Sequence, residues 1–213
     1  MLSSLRVTTE PEGEPVTIAI AREHCRIDSA DDDTLLAGYL TAARIMAEGY
    51  LSRALLTQTL LWTMRPDPRS PGDFARLQRG ELALPRAPVR SILSVTLSDW
   101  LGNQNVIVPR AVTVPLNTPI MGWYGNLDFE PGRLTIGRDT PLVNSSVSWV
   151  DVGAIQISFV AGYGEAADVP KTIVQAILLT TAYLYENRGD VDAVMPKAAE
   201  WLLDRHRLQF LGG

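Results

Sequence analysis

The chain lacks most of what would mark a secreted protein, a membrane protein or an enzyme. Its single cysteine, Cys25, excludes an internal disulfide and fits a reducing, intracellular history. The opening Met1 to Arg6 has no long apolar stretch of the signal-peptide kind. The most apolar run, Ile173 to Tyr185, is interrupted by Gln175, Thr180 and Thr181. It is too short for a bilayer span and reads as a buried helix. A soluble protein made inside a cell, with no membrane partner, is expected.

Histidine is nearly as scarce. His24 and His206 stand far apart, there is no H-E-x-x-H, and one cysteine cannot make C-x-x-C, so no zinc motif is present. His24 and Cys25 are neighbours, but adjacent side chains on a helix diverge by about 100°, which disfavours a nucleophilic dyad. Neither G-x-S-x-G nor G-x-x-x-x-G-K-[ST] occurs, so a nucleophile elbow and a phosphate loop are unsupported. Gly162-Tyr163-Gly164 lacks the rest of a dinucleotide fingerprint and reads as a turn from strand into helix. Asp31, Asp32 and Asp33 are contiguous, whereas calcium loops alternate their oxygens; helix capping is their expected use. No cofactor, no metal and no hydrolase or transferase activity is expected.

What is present is a core. Apolar residues make up 46% of the 213, so a packed interior can form. The formal charge of −5 argues against a general coat for nucleic acid or anionic membrane. Of the 19 basic residues only Lys171 and Lys197 are lysine. That skew fits either genome composition or a preference for arginine at subunit interfaces.

Residues 1–15 are polar and rich in Glu, Pro and Gly after Thr9, and are expected to form an N-terminal arm. Thr17 can cap a helix to about Arg26, with Ile18, Ala21 and Cys25 on one face. From about Asp32 to Ser52, Leu35, Leu36, Tyr39, Leu40, Ala43, Met46, Ala47 and Tyr50 recur at helical spacing. The acids at its start suit an N-cap and a positive dipole end. Strands are expected at 57–64, 91–97, 106–108, 111–114, 133–136 and 154–160, the last with the clearest alternation. Loops should fill 65–81 and much of 115–150. Helix returns at Pro170, with Asp168 as a possible cap, and runs to Arg188; a last helix spans Pro196 to about Arg207. The expected fold is α+β: a helical bundle from the two chain ends (16–56 and 165–207), an inserted β subdomain (57–164), and a C-terminal tail (208–213).

Three stretches carry a family resemblance. The first runs from Val16-Thr17-Ile18 through Arg26-Ile27-Asp28, Asp31 to Leu36, Ala42-Ala43, Glu48-Gly49-Tyr50, Arg53-Ala54-Leu55 and Thr57-Gln58-Thr59. The second is Leu84-Pro85-Arg86-Ala87-Pro88-Val89 with the strand after it. The third is Phe159 to Gly164, Val169-Pro170, Ile173, Ala176-Ile177-Leu178 and Tyr185-Glu186-Asn187-Arg188. Together they resemble the head–tail connector (adaptor, or head-completion) proteins of tailed phages, and the similar adaptors of gene transfer agents. The 100–150 region, with Trp100, Trp123, Tyr124 and Trp149, is longer than usual for that family.

The resemblance implies a non-enzymatic protein that forms a dodecameric ring beneath a portal protein. It would adjoin a stopper or tail-completion protein in the neck of a virion or phage-like particle assembled in the host bacterial cytoplasm. Double-stranded DNA would pass through the ring. A ring of −5 subunits would have a repulsive, non-sticking lumen, for which Asp31, Asp32 and Asp33 are the candidates. Adaptors of this kind grip the portal with their C-terminal region, which here implies Arg205, Arg207, Leu208, Phe210 and Leu211. The alternative for that tail is that its apolar residues tuck back onto their own bundle.

Two other functions remain open from the residues. Arg65, Arg69, Arg76, Arg79, Arg86 and Arg90 against Asp67, Asp73 and Glu81 give the 65–90 loop a local balance of plus three, the charge a DNA-binding module would use on phosphates. Asp128, Glu130 and Asp139 could serve an unrecognised hydrolase if a cleft separated two of them.

Overall fold

The computed structural model describes residues 2–65, 81–107, 109, 122–137, 152–188 and 194–208. The expected strand at 111–114 lies outside them, as do Arg69, Arg76, Arg79 and Asp139. The chain divides into two compact units, residues 1–10 with 58–161, and residues 11–57 with 162–213. The first is β-rich and the second helical, so the fold is α+β with the β-rich part inserted between helical ends.

In the β unit the strands are β1 (Leu2–Thr9), β2 (Gln58–Arg65), β3 (Leu82–Ala83), β4 (Val89–Asp99), β5 (Gln104–Ile107), β6 (Trp123–Asn126), β7 (Arg133–Ile136) and β8 (Val152–Ala161). A five-stranded sheet runs β1-β2-β8-β4-β5 and a three-stranded sheet runs β3-β7-β6, each antiparallel throughout. β8 is central because its alternation is strict. Ile155, Ile157 and Phe159 are wholly buried, while Gln156, Ser158 and Val160 turn to the half-exposed face. β6 and β7 lie against β4: a Cβ at Gly125 would come 2.7 Å from Ile92 Cδ1, and one at Gly132 3.0 Å from Val89 Cβ. The indole of Trp123 donates to the Ile107 carbonyl at 2.9 Å, so this buried polar group is satisfied.

The N-terminal residues differ from expectation. Leu2–Thr9 is not a free arm but an edge strand paired with β2, with Leu2 opposite Arg65 and Val7 opposite Leu60. Its side chains are mostly exposed, and the backbone ladder is what holds it. A polar composition hid the strand because hydrogen bonding of an edge does not demand apolar residues. Glu14 and the buried Pro15 are also docked, on the helical unit.

The helical unit contains α1 (Ile18–Cys25), α2 (Asp33–Leu51), α3 (Lys171–Glu186) and α4 (Lys197–Asp204). Thr17 caps α1, its hydroxyl accepting from Ile20 N at 3.4 Å. Asp168 serves a 3-10 turn before α3, accepting from Glu165 N at 2.9 Å, rather than capping α3 itself. α3 is the spine: Ile173, Ala176, Ile177, Thr180 and Thr181 are buried. The two threonine hydroxyls donate to Ala176 and Ile177 carbonyls at 2.8 Å, which makes them tolerable in the core. Around them pack Ala21, Leu36, Leu40, Ala43, Ala47, Leu51, Leu55, Ala199 and Leu203. Chain return into this unit needs Gly162. Its φ is +129°, and a Cβ there would sit 2.2 Å from the Leu56 carbonyl oxygen. No helix among the described residues is long and apolar enough to cross a membrane.

Ile177 is wholly buried on the spine. Ile177→Asp would place an unpaired carboxylate there, at a cost of several kcal/mol. The expected outcome is loss of the cooperative thermal transition in circular dichroism; an unchanged melting curve would contradict this core.

Candidate functional site

Three clusters of polar side chains organise the helical unit and place the residues singled out above. The deepest centres on Arg44, which is 5% exposed. Its Nε donates to Glu14 Oε2 at 2.8 Å and its Nη1 to Glu48 Oε2 at 3.2 Å. The second oxygens are used as well: Glu14 Oε1 accepts from the Thr41 hydroxyl at 2.7 Å, and Glu48 Oε1 from Leu55 N at 2.8 Å. A buried guanidinium between two carboxylates, all hydrogen-bonded, is the arrangement in which burial of charge is tolerated.

The second cluster joins the start of α2 to the end of α3. Asp32 occupies the N-cap position without capping. Its carboxylate instead accepts from the Tyr185 hydroxyl and from Arg188 Nη2, the latter at 3.0 Å. The Tyr185 hydroxyl, then Arg188, hold the Asp32 carboxyl below its ordinary range; the same bond raises Tyr185. Asp33 stands in the first turn of α2 and pairs with Arg22 Nε at 3.1 Å. Of the three expected capping acids, two are thus paired with arginines, Asp32 through a charged hydrogen bond and Asp33 through an ion pair without hydrogen-bond geometry. Asp31 is exposed.

The third cluster ties down the chain after α4. Tyr50 donates to Asp204, and Arg207 lies over the Tyr50 ring at 5.0 Å. Arg53 Nε donates to the His206 carbonyl. His206 Nε2 and Thr172 Oγ1 are 2.7 Å apart. Leu208 N donates to the Leu51 carbonyl at 3.0 Å, and its side chain is 7% exposed. Leu208 therefore tucks back onto its own bundle and is not available as a free anchor. The apolar groove beside Leu51 covers it, and its amide bond fixes it there. Arg205 and Arg207 remain exposed; Phe210 and Leu211 lie outside the described residues.

The catalytic alternatives gain no geometry. Asp128 and Glu130 are both exposed in the β6–β7 connection. A cleft of about 470 Å³ on the five-stranded sheet is lined by Leu2, Ser3, Ser4, Arg6, Leu61, Thr63, Arg65 and Gln156, and holds no carboxylate. Cys25 is half-buried, and desolvation, followed by the charge of Glu186, pushes its thiol up, away from reactivity. Among the described residues no three His, Cys, Asp or Glu side chains could share a metal ion. Arg65 is exposed at the end of β2, and the 65–90 loop lies largely outside the described residues.

Comparison with known proteins then bears on the whole chain. Residues 15–98, which include α1, α2 with Arg44 and Glu48, β2, β3 and nearly all of β4, match the family model of the phage gp6-like head-tail connector protein. This segment is similar to the head–tail connectors. Solved structures extend the likeness. A chain in the neck of an empty gene transfer agent particle, computed with C6 symmetry, is 25% identical with a TM-score of 0.67, over 99% of this chain and 98% of that one. One in the virion of a native gene transfer agent particle is 25% identical with a TM-score of 0.69, over 98% of each. One in the native neck, computed with C12 symmetry, is 25% identical with a TM-score of 0.67, over 99% and 98%. No curated protein matches the chain. The residues of the deepest cluster that sequence reading missed as a group are Glu14, Arg44 and Glu48. Their only signal was an arginine four residues before a glutamate in an otherwise apolar helix.

The attachment of the C-terminal segment should depend on pH. Burial first, then the charges of Arg53 and Arg205, push His206 below its ordinary value of about 6.5. The detached state therefore takes up the proton first. The contribution of His206 is present above about pH 6.5 and is lost as pH falls through the lower attached-state value. Hydrogen exchange of the Leu208 amide, corrected for its intrinsic pH dependence, should lose protection between about pH 7.5 and about pH 5. His206→Gln should flatten that dependence; an unchanged slope would refute the assignment.

Proposed function

We propose that the chain is the head–tail adaptor of a phage or phage-like particle, a structural component of the neck that catalyses no reaction. The observation that carries this reading is likeness over nearly the full length of both chains to a protein in a gene transfer agent neck. The connector-family match over residues 15–98 supports it independently. Twelve copies form a ring between the portal and the stopper or tail-completion protein, and double-stranded DNA passes through. The twelvefold symmetry of the similar neck supports that number. Assembly takes place in the host bacterial cytoplasm.

Charge fits this role. Copies of net charge −5 build a ring that repels phosphates, so the duplex can slide without sticking. Within the acidic triplet, Asp32 and Asp33 are paired to Arg188 and Arg22, and Asp31 is the acid we assign to the lumen. For the portal contact we assign exposed Arg205 and Arg207 together with Phe210 and Leu211 of the tail. The buried Leu208 is their tether to the bundle.

Two experiments test these assignments. Deletion of the coding sequence should leave DNA-filled heads without tails in negative-stain images; normal tailed particles would refute the adaptor reading. Removal of residues 209–213 alone should leave the melting curve unchanged, since the cut falls beyond Leu208, but abolish capture by portal rings in a pull-down. Capture at undiminished strength would refute the portal assignment.

A further inference from the structure

The longest helix of the chain buries an apolar face, Leu36, Leu40, Ala43, Ala47 and Leu51, yet keeps its long charged side chains off its outward face as well. In α2 the two long charged side chains, Arg44 and Glu48, are 5% and 8% exposed, while its outward face carries no charge. At 100° per residue, Leu35, Gly38, Ala42, Ile45 and Gly49 fall within about 80° of arc. Leu35 is 38% exposed and Ile45 56%; Gly38 and Gly49 are exposed and Ala42 half-buried. A surface helix normally carries its charged residues on the outward face.

The glycines sharpen the point. Each costs about 1 kcal/mol of helix stability relative to alanine inside a helix. A Cβ at Gly38 or Gly49 would meet nothing within 4 Å of its own chain. Nothing internal requires them to be small, so the demand for a low surface comes from outside. Their neighbours on the arc, Leu35 and Ile45, would then stand as apolar knobs on either side of a shallow, smooth track.

We infer that this face of α2 is a contact between adjacent copies of the chain, an inference that rests on the ring proposed above. Three observations select a second copy as the occupant. The similar neck is twelvefold symmetric, which requires each copy to meet its neighbours through repeated surfaces. Copies with a charge of −5 repel one another, and an uncharged face is where they can approach without juxtaposing like charges. The face offers no cation, so DNA phosphates gain nothing from it. Leu35 and Ile45 supply the apolar anchors, and Gly38, Ala42 and Gly49 let a neighbouring backbone come close.

The test uses the full chain in assembling particles, with the photoreactive residue benzoylphenylalanine at position 45. Irradiation should give a covalent product of two copies of this chain. Adducts only with a different neck protein would overturn the inference, as would no adduct in particles that contain many copies. Ile45→Arg, on the surface, should leave the melting curve of the free chain unchanged yet lower its incorporation into particles about a hundredfold, because an unpaired guanidinium would be buried at the contact. Ile45→Val should incorporate normally. Full incorporation of the arginine variant would refute the assignment of this face. A wild-type chain present as one copy per particle would instead overturn the ring, and this inference with it; copy number by quantitative mass spectrometry separates the two failures.

Discussion

Burial of Arg44 is the constraint on which the helical unit depends. A guanidinium at 5% exposure is stable only with its charge met and its donors used. Two carboxylates from opposite sides of the sequence do this: Glu14, before α1, and Glu48, one turn further along α2. Removing either partner would leave a buried charge, an imbalance that costs about 3–5 kcal/mol in comparable settings. The spare oxygens extend the hold to Thr41 and to the amide of Leu55, where the chain leaves α2. Apolar packing alone would let α2 slide or rotate among similar side chains. Directional bonds from one guanidinium fix its rotation.

That rotation has an external consequence. With Arg44 and Glu48 turned inward, the opposite arc of α2 is left to Leu35, Gly38, Ala42, Ile45 and Gly49. The buried charges and the uncharged exterior of this helix are therefore one feature. An ordinary surface helix would carry such charges on its outward face. In a subunit built for assembly, the arrangement makes sense of both faces at once.

The remaining polar clusters share a logic. Asp32 with Tyr185 and Arg188 joins the start of α2 to the end of α3. Tyr50, Arg53 and Thr172 hold the chain around Asp204 and His206, and Leu208 closes the bundle against Leu51. Each contact links residues more than 30 positions apart, and the ends of helices are where they act. Cross-links at helix ends resist separation of the elements where sliding would begin. The exposed arginines just after α4 project from this anchored base.

Much of the chain could be read from local pattern. Period 3.6 marks α1 and α2, an apolar run marks α3, and Thr17 and Pro170 mark where two of the helices begin, because capping and apolar periodicity are properties of neighbouring residues. Strict alternation marked β8, and the resemblance in three ordered stretches pointed to connectors before any coordinate was known. Leu35 shows the limit: its spacing puts it among core residues, but the face of α2 that is buried is that of Leu36, Leu40, Ala43, Ala47 and Leu51, and Leu35 is 38% exposed. Leu2–Thr9 became a strand because β2 offered it a backbone edge, which no composition reveals. Leu208 was apolar in either of two readings, and the carbonyl of Leu51 chose between them. The sequence by itself determined the helices, the central strands and which family they resemble, since those depend on short-range order. Tertiary structure decided which faces are inside, which edge takes up the first strand and which charges are paired, since those depend on partners that only folding brings together.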